Sequence, residues 1–280
     1  MPITLAPDAA IDLQMHSTFS DGIWTADELL DHVAGESFSL IAVTDHDHPS
    51  ATGELQRLAA ERQPGVHALS AVEMSSRWNG KMLDLLCFGF DPAHNALTPI
   101  GDSTRQRQID NIREAYDALR HMGYRFGDQD ELVPRRGRPE LQFDDLLDAL
   151  LHNGYGDELA QALDKSGFAW INVDPAEIVE AAHASGAVCL IAHPGRGDWW
   201  PLFDTDELDR FRKVAPVDGL EIYHPTHSPE SSAAYIAYAE RHNLLVSTGS
   251  DSHGKPSQWP IKYRAETSRK LLERLGVEVR

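Results

Sequence analysis

The chain has 280 residues, 41% of them hydrophobic, so it can bury a substantial core as one large α/β domain or two small ones. Its formal net charge is −19, from 25 Lys and Arg against 44 Asp and Glu, which disfavours a broad basic surface for nucleic acid or anionic membrane. An anionic substrate therefore needs local compensation, from arginines or from bound divalent cations that invert the local field.

Targeting and redox signals point to an ordinary cytoplasmic protein. The only cysteines, Cys87 and Cys189, lie in apolar runs, which predicts buried, reduced thiols. The first ten residues lack the basic start and apolar stretch of a signal peptide. No apolar run approaches the roughly 18 residues of a membrane-spanning helix. We therefore expect a cytoplasmic protein that does not enter a membrane.

The first part of the chain alternates short apolar runs with amphipathic stretches, which predicts βα units and a mainly parallel sheet. Thr25 is expected to cap the first helix. The last two strands are separated by a polar turn and are expected to form a hairpin or to be neighbours in the sheet. The predicted elements are strand Ile11–Met15, helix Thr25–Ala34, strand Leu40–Thr44, helix Gly53–Arg62, and strands Val66–Glu73 and Lys81–Phe90.

The periodicity changes after Phe90. One long polar helix, Ser103–Met122, is followed by a loop rich in glycine and arginine and by a second helix near Phe143–His152. No strand signal occurs before Gly167. We therefore interpret residues 98–167 as a helical insertion.

The alternation resumes after the insertion. Pro175 stands where the first turn of a helix tolerates proline. The segment Glu266–Arg280 is expected to end in a helix. The predicted elements before it are helix Asp174–Ser185, strand Ala187–Ala192, helix Asp206–Val214, strand Gly219–Tyr223, helix Ser231–Asn243 and strand Leu244–Thr248.

Histidines and acids follow six of the strand-like runs. In parallel α/β folds, groups beyond the carboxyl ends of the strands converge on one place. Imidazole and carboxylate together suit Zn, Mn or Fe, and bridging carboxylates suit sites with more than one ion. One such histidine is more often a hydrogen-bonded structural group, but six strand ends are hard to explain that way, because buried, unpaired acids are costly. The residues concerned are His16, Asp21, Asp45, His46, Asp47, His48, Glu73, His193, Arg196, His224, His227, Asp251 and His253.

Five motifs in this order resemble those of the PHP phosphoesterases, a family named after polymerases and histidinol phosphatases. They are D-L-x-x-H-S-x-x-S-D-G, A-V-T-D-H, V-E-M-S, A-H-P-G-R and G-S-D-S-H-G, between about residues 11 and 254. The insertion with its G-R-P resembles the subgroup of 3′,5′-nucleotide bisphosphate phosphatases and 5′–3′ exoribonucleases. The resemblance implies an α/β fold, a distorted (β/α)7 PHP-type barrel formed by residues 1–97 and 168–280, with residues 98–167 covering the site.

The resemblance also implies two or three divalent metal ions. Mn is the first expectation, with Zn, Fe or Mg as alternatives. It assigns His16, Glu73 and Asp251 to one ion, and makes Glu73 the bridge to a second ion that His193 also binds. The remaining cluster, Asp21, His46 and His253, is either a third metal site or a set of groups close to the phosphate.

Two expected ligands depart from the family pattern. Gln14 and Asp84 occupy positions where the family usually has histidine. Aspartate favours a harder ion such as Mn over Zn. Glutamine is a neutral and weaker ligand, so the replacement lowers the expected affinity of that site.

The expected chemistry is in-line attack of water on phosphorus, with the metal ions activating the water and stabilising the charge on the phosphoryl oxygens. Asp21, His46 and His253 are the candidate catalytic residues, and either His46 or His253 is expected to protonate the leaving alkoxide.

Arginines are the expected phosphate ligands, because guanidinium binds phosphate bidentately. Arg138 and Arg196 are the candidates, and His227 is expected to line the pocket. Arg135 and Arg136 are either ligands of a second phosphate or solvated loop charges. Trp199 and Trp200 either stack on a base or pack over the rim of the barrel.

The leading function is hydrolysis of a phosphate monoester on a small metabolite, best represented by a nucleotide 3′,5′-bisphosphate. The alternatives are a phosphodiesterase or exonuclease on short oligonucleotides, a non-catalytic module that binds metal or nucleotide, and a C–N hydrolase. The expected partner is a small phosphorylated substrate such as a nucleotide, with no long nucleic acid and no membrane. The oligomeric state is not predicted.

Overall fold

The strands pair into three sheets in the computed structural model, which describes residues 3–127, 131–135, 137–256 and 258–280. The strands are β1 (Ile3–Leu5), β2 (Ala10–Asp12), β3 (Leu40–Ala42), β4 (His67–Leu69), β5 (Ala71–Trp78), β6 (Lys81–Phe88), β7 (Val188–Ile191), β8 (Gly219–Tyr223), β9 (Leu245–Thr248), β10 (Tyr263–Arg264) and β11 (Val277–Val279).

Two of the sheets carry most of the predicted site residues. One has the order β10-β2-β3-β4, with β2, β3 and β4 parallel. The other has the order β5-β6-β7-β8-β9, in which β6 runs antiparallel to both neighbours and β7, β8 and β9 are parallel. The hairpin alternative for β5 and β6 is confirmed. The predicted strand Val66–Glu73 is two strands, one in each sheet, so Glu73 is the third residue of β5 rather than a strand end.

Backbone hydrogen bonds join these two sheets at two seams. At one seam the Leu13 amide donates to the Thr248 carbonyl (3.1 Å), and at the other the Glu73 amide donates to the Thr44 carbonyl (3.1 Å). Isolated bridges extend the seams, including one between His46 and Glu73. The fold is mixed α/β. Within the described ranges the strands form three sheets, two of which are joined at these seams, and their hydrogen bonds do not close a continuous barrel.

The helices are α1 (Ala26–Gly35), α2 (Ala51–Arg62), α3 (Leu97–His121), α4 (Phe143–His152), α5 (Leu159–Ser166), α6 (Pro175–Ala184), α7 (Thr205–Val214), α8 (Pro229–His242) and α9 (Arg269–Arg274). The predicted cap of α1 is confirmed: Thr25 Oγ1 accepts from the Glu28 amide, and Glu28 Oε2 accepts from the Thr25 amide (2.8 Å). This reciprocal pair satisfies two amides that have no partner within the helix.

The helices between β6 and α6 have an apolar cluster of their own. Side chains of α3 and α4, among them Ile112, Tyr116 and Leu146, pack with Ala162 of α5. The main core lies instead between the five-stranded sheet and helices α6, α7 and α8. The long helix begins at Leu97, six residues before its predicted start at Ser103, and the intervening turn packs Leu97 into the main core.

The end of the chain differs from the prediction. Helix α9 stops at Arg274, and Gly276 adopts a left-handed φ of 80° that turns the chain. Residues Val277 and Val279 then face the core, and β11 pairs in parallel with β1. The predicted C-terminal helix is therefore wrong beyond Arg274, because alternating valines favour a strand.

Cys87 and Cys189 are buried and free, as predicted, and their sulfur atoms lie 3.8 Å apart across β6 and β7. Among the residues that the structure describes, no helix is both long and apolar enough to cross a membrane.

Gly219 tests the packing of β8 against β9. A methyl group at this position would overlap the backbone of Leu245, whereas Gly35, near the end of α1, has open space around it. We expect Gly219→Ala to lower the free energy of unfolding by about 1–3 kcal/mol, the usual cost of overpacking. Gly35→Ala is the control and should be neutral or slightly stabilising, because alanine is the better helix former. Urea unfolding monitored by circular dichroism measures both, and equal stability of the two variants would contradict this packing.

Candidate metal centre

Five predicted ligands converge at the edge where the two sheets meet. His16 and His46 follow β2 and β3, His193 and Asp251 follow β7 and β9, and Glu73 lies within β5. His193 and Asp251 adopt left-handed backbone angles (φ 29° and 53°), a conformation unusual for side-chain-bearing residues and often found at functional sites. The convergence predicted from the strand ends is thus present in the fold.

Glu73 lies at the middle of the cluster. Its side chain is fully buried, and its two oxygens face different imidazoles. Oε2 lies 3.1 Å from Nε2 of His16, and Oε1 lies 3.2 Å from Nε2 of His193. Nε2 of His16 is also 3.2 Å from Oδ1 of Asp251. A carboxylate placed between two such nitrogens has the geometry of a bridging ligand.

A second group surrounds Asp21. Its Oδ2 lies 2.9 Å from Nε2 of His253 and 4.0 Å from Nε2 of His46, and its Oδ1 lies 3.5 Å from Nδ1 of His16. The ring of His16 stacks between those of His46 and His253, with centroids 4.8 and 4.4 Å away. His16 therefore belongs to both groups.

The two residues that depart from the family pattern also reach the cluster. Gln14 is fully buried, and its Nε2 donates to Oε2 of Glu73 (3.0 Å). Asp84 has its Oδ2 3.8 Å from Nε2 of His193 and accepts a hydrogen bond from the indole of Trp200. Asp84 therefore faces the cluster with a carboxylate, whereas Gln14 presents its amide nitrogen to the central acid.

The donor set fits divalent cations. Three groups of residues each bring their ligand atoms within 4.8 Å of one another: His16, Asp21, His46 and His253; His16, Glu73 and Asp251; and His46, Glu73 and Asp84. Several buried atoms have no hydrogen-bond partner among the described residues, namely both ring nitrogens of His16, Nδ1 of His46, Nδ1 of His193 and Oε1 of Gln14. Unsatisfied buried polar atoms are costly, and for the nitrogens and oxygens that face the cluster a shared cation relieves that cost.

In the absence of metal, the carboxylates and imidazoles of the cluster form pairs of opposite charge. Burial opposes the charge on Glu73, yet the imidazoles of His46, His16 and His193 outweigh it and hold the pKa of Glu73 well below its usual range. Burial also opposes the charge on His193, but Glu73 raises the pKa of His193 to about 9. The pKa of Asp84 is raised to about 6 by burial and by the charge of Glu73. Metal binding must therefore displace protons.

A cavity of about 300 Å³ opens onto the cluster. Among the predicted phosphate ligands, Arg196 lines it, with its guanidinium 3.6 Å from the ring centroid of Trp200 and 3.7 Å from Oδ2 of Asp251. Arg105 and Lys255 also line the cavity, although the sequence motifs gave no reason to select them. The sequence feature that could have identified Lys255 is its position directly after the last motif, G-S-D-S-H-G.

The predicted substrate-binding residues Arg138 and His227 are not among the residues that line this cavity. Arg138 is buried, and its guanidinium donates to the carbonyl of Asp21 (3.0 Å) and lies 3.7 Å from the carboxylate of Asp145. In His227, Nε2 accepts from the Gly195 amide (3.0 Å) and Nδ1 donates to the Ile222 carbonyl (2.8 Å). Both side chains are therefore occupied in holding loops.

The remaining candidates from the sequence are the other arginines of the insertion loop and the two adjacent tryptophans. Arg135 forms ion pairs with Asp144 and Asp148, which satisfies its charge within the insertion, and Arg136 lies outside the described residues. Trp200 lines the cavity, with its ring edge-on to His193. Trp199 is 75% exposed and does not line it.

Two further buried residues lie near the cluster: Glu221, which was not predicted, and His224, which follows a predicted strand but was not assigned a ligand role. Glu221 in β8 is fully buried, accepts from the His193 amide (2.9 Å), and has its pKa raised well above the usual range by burial. The sequence feature that could have identified Glu221 is an acid inside the apolar run L-E-I-Y. His224 is buried with its Nε2 3.7 Å from Oδ2 of Asp251.

No protein-family profile matches the chain. A 3′,5′-nucleoside bisphosphate phosphatase of Chromobacterium violaceum is 30% identical over 257 residues, covering 88% of this chain and 87% of that protein. A phosphoribosyl 1,2-cyclic phosphate 1,2-diphosphodiesterase of Eggerthella lenta is 27% identical, and the match covers 89% of this chain and 96% of that protein. A 5′-3′ exoribonuclease of Haemophilus influenzae is 24% identical, and the match covers 86% of this chain and 89% of that protein. A solved structure from Bifidobacterium adolescentis, assigned as a metal-dependent phosphoesterase, superposes with a TM-score of 0.76 at 24% identity, covering 96% of this chain and 97% of that one.

Removing the charge of Glu73 tests its bridging position. We expect Glu73→Gln to reduce the number of Mn²⁺ ions bound per chain, because the amide offers one oxygen and no charge where two ligand groups need a carboxylate. Elemental analysis after dialysis against Mn²⁺ measures the stoichiometry. The matched control is Glu61→Gln, an exposed residue of α2. Unchanged stoichiometry in Glu73→Gln would exclude a bridging role.

Proton competition should make metal binding depend on pH. Because the pKa of His193 is raised to about 9 in the metal-free protein, this imidazole carries a proton at neutral pH that a cation has to displace. We expect Mn²⁺ affinity to rise between pH 6 and pH 9, with proton release on binding. Calorimetric titrations in buffers of different ionisation enthalpy measure both quantities. An affinity independent of pH across this range would show that His193 is not a ligand.

Proposed function

Since this chain belongs to the PHP family of metal-dependent phosphoesterases, we propose that it hydrolyses a phosphate monoester of a small nucleotide, with a nucleoside 3′,5′-bisphosphate as the best candidate. The observation that carries the proposal is Glu73, whose two oxygens face His16 and His193 and which belongs to two of the three ligand groups. This arrangement favours phosphoryl transfer, because two bound cations can stabilise the charge that accumulates on the phosphoryl oxygens.

The residues proposed to hold two or three divalent ions are the predicted set: Gln14, His16, Asp21, His46, Glu73, Asp84, His193, Asp251 and His253. Such ions, when bound, supply Lewis-acid stabilisation of the phosphoryl group and lower the pKa of the attacking water. We favour Mn²⁺ or Mg²⁺ over Zn²⁺, because Asp84 contributes oxygen where the usual ligand is nitrogen.

Cations of the chain itself surround the proposed phosphate position. Arg196 and Lys255 line the cavity, and Arg196 is oriented by its contacts with Asp198 and Trp200. These side chains provide the local compensation that a protein of charge −19 needs for an anionic substrate. Arg196 and Lys255 also lie near acids, at 3.1 Å from Asp198 and 3.9 Å from Asp144. Arg105 is held more closely, at 2.6 Å from Asp102 and 2.7 Å from Glu140, so it contributes less free charge to the cavity.

Where two ions are bound and the cluster of Asp21, His46 and His253 lies close to the phosphate instead of holding a third, His46 is the candidate proton donor that we favour. It lines the cavity, and its Nε2 has no hydrogen-bond partner among the described residues. Both nitrogens of His253 are engaged, Nδ1 with the Asp251 carbonyl (2.8 Å) and Nε2 with Asp21 (2.9 Å). A proton on His46 is therefore the freer one to reach a leaving alkoxide, and Asp21 and His253 orient the groups around it.

We propose that residues 98–167 form a cap over a distorted (β/α)7 barrel made of residues 1–97 and 168–280. The separate apolar cluster of α3, α4 and α5 supports this division. Gln142 and Phe143 of the cap line the cavity, which supports its role in limiting substrate size. We also propose a cytoplasmic location, since two free thiols 3.8 Å apart suit a reducing compartment.

A phosphodiesterase acting on short oligonucleotides is the second candidate. The names of the relatives from Eggerthella lenta and Haemophilus influenzae support it. The chain's net charge of −19 and the small cavity favour a small substrate, because longer strands need a basic groove that follows the backbone.

Phosphate release by the Mn²⁺-loaded protein tests the proposal. Adenosine 3′,5′-bisphosphate is compared with AMP, p-nitrophenyl phosphate and a phosphate diester. We expect release from the bisphosphate to be fastest, and His193→Ala to lower kcat/KM by more than about 100-fold, since even residues outside the direct ligand set affect metal sites by ~10–100-fold. The exposed His94→Ala is the matched control. No release from any ester by protein with bound metal would favour the non-catalytic module, and preference for the diester would favour the second candidate.

A further inference from the structure

An exposed tryptophan forms part of the wall of the cavity that opens onto the metal cluster. Trp170, which follows the cap helices, is 44% exposed and lines the same cavity as His46, Glu73 and His193. Its ring lies against Phe143 (centroids 4.7 Å apart) and Phe168 (5.2 Å). A large ring that is packed against other aromatic side chains and lines a cavity is a rigid apolar surface for a ligand.

The backbone next to Trp170 is tied to the strand that carries Glu73. The Val173 amide donates to the Ser75 carbonyl (3.1 Å), and the Ser76 hydroxyl donates to the Val173 carbonyl (2.8 Å). Ser75 is two residues beyond Glu73, about 7 Å along an extended strand. The tryptophan is thus held at a defined distance from the proposed phosphate position.

Two amide side chains beside the ring present one donor and one acceptor. Oε1 of Gln108 accepts from the Ile171 amide (2.9 Å), so its Nε2 is the free end, and this buried nitrogen has no partner among the described residues. Nδ2 of Asn172 donates to the Trp170 carbonyl (3.0 Å), which leaves its Oδ1 as an acceptor. Each backbone contact fixes the orientation of the amide. Both residues line the cavity.

The other tryptophans near the site are less suited to stacking. The guanidinium of Arg196 lies 3.6 Å from the ring centroid of Trp200, and the indole nitrogen of Trp200 donates to Asp84. Trp199 is exposed and does not line the cavity. A free aromatic face on the cavity wall is therefore offered by Trp170.

We propose that Trp170, Gln108 and Asn172 form a nucleobase subsite. The base stacks on the indole of Trp170, and its edge accepts from Nε2 of Gln108 and donates to Oδ1 of Asn172. Aromatic stacking with one donor and one acceptor at the edge is how proteins bind an unpaired base. The subsite rests on the proposed function in that the ester of the same nucleotide lies at the metal cluster.

Substrates with and without a base test the subsite. The variants are Trp170→Ala, Trp170→Phe and Gln108→Leu, with the exposed Trp199→Ala as the matched control. We expect Trp170→Ala to lower kcat/KM for adenosine 3′,5′-bisphosphate by about 10–100-fold, the usual effect of losing one base–aromatic stack. Hydrolysis of ribose 5-phosphate, which has no base, should stay unchanged. Trp170→Phe should retain most of the activity on the nucleotide, Gln108→Leu should weaken it, and Trp199→Ala should leave both substrates unaffected.

A binding measurement separates this proposal from the proposed function. Calorimetric titration with adenosine, which has no phosphate, reports on the subsite even if the protein hydrolyses no ester. Weaker adenosine binding in Trp170→Ala and Gln108→Leu, with binding retained in Trp170→Phe, would support the subsite in either case. Equal losses on ribose 5-phosphate and the nucleotide, or unchanged adenosine binding in Trp170→Ala, would overturn it.

Discussion

A fully buried carboxylate, that of Glu73, is the constraint on which the rest of the site depends. Transfer of an ionised carboxylate from water into a protein interior is unfavourable unless positive charge and hydrogen bonds surround it. Here His16 and His193 approach its two oxygens from opposite sides. The Glu73 backbone also closes one seam between the sheets, through its bonds to Thr44 and Asp47. The same residue therefore fixes both the chemistry of the cluster and the relative position of the two sheets.

The antiparallel course of β6 explains how Asp84 joins a site built otherwise from loops and from β5. The hairpin between β5 and β6 returns the chain so that Asp84 pairs with Ser75, two residues beyond Glu73. Its carboxylate then faces His193 and accepts a hydrogen bond from the indole N–H of Trp200. Because Trp200 also supports Arg196, the loop after β7 is connected to the cluster through Asp84.

The sequence pattern predicted which histidines and acids lie together in one cluster better than it predicted which residues line the cavity. Ligands at strand ends follow from periodicity, since parallel strands bring their carboxyl ends together whatever the loops do. Arg138 and His227 were selected for their residue type, but their partners, such as Asp145 for Arg138 and Gly195 for His227, are set by tertiary contacts that no local pattern encodes.

The same limit explains the elements that the pattern missed. The segment around Trp170 has no periodicity, so only the folded chain shows that it crosses the cavity wall. The short strands β1 and β11 are stabilised by each other, and each alone carries too few residues to be recognised. Local propensity is a weak signal for such elements, because their stability comes from pairing and burial.

The packing behind Glu73 accounts for the glutamine at position 14. Gly249 can only be glycine here, because a methyl group would overlap Glu221 and lie 3.0 Å from Oε1 of Gln14. Two side-chain oxygens, Oε1 of Gln14 and Oε1 of Glu221, thus both lie next to Gly249 and are buried without partners among the described residues. Burial raises the pKa of Glu221 well above its usual range, and a neutral acid can donate a hydrogen bond where a carboxylate cannot. The amide nitrogen of Gln14 donates to Glu73 (3.0 Å), so Gln14 orients the central carboxylate even where it contributes no nitrogen ligand.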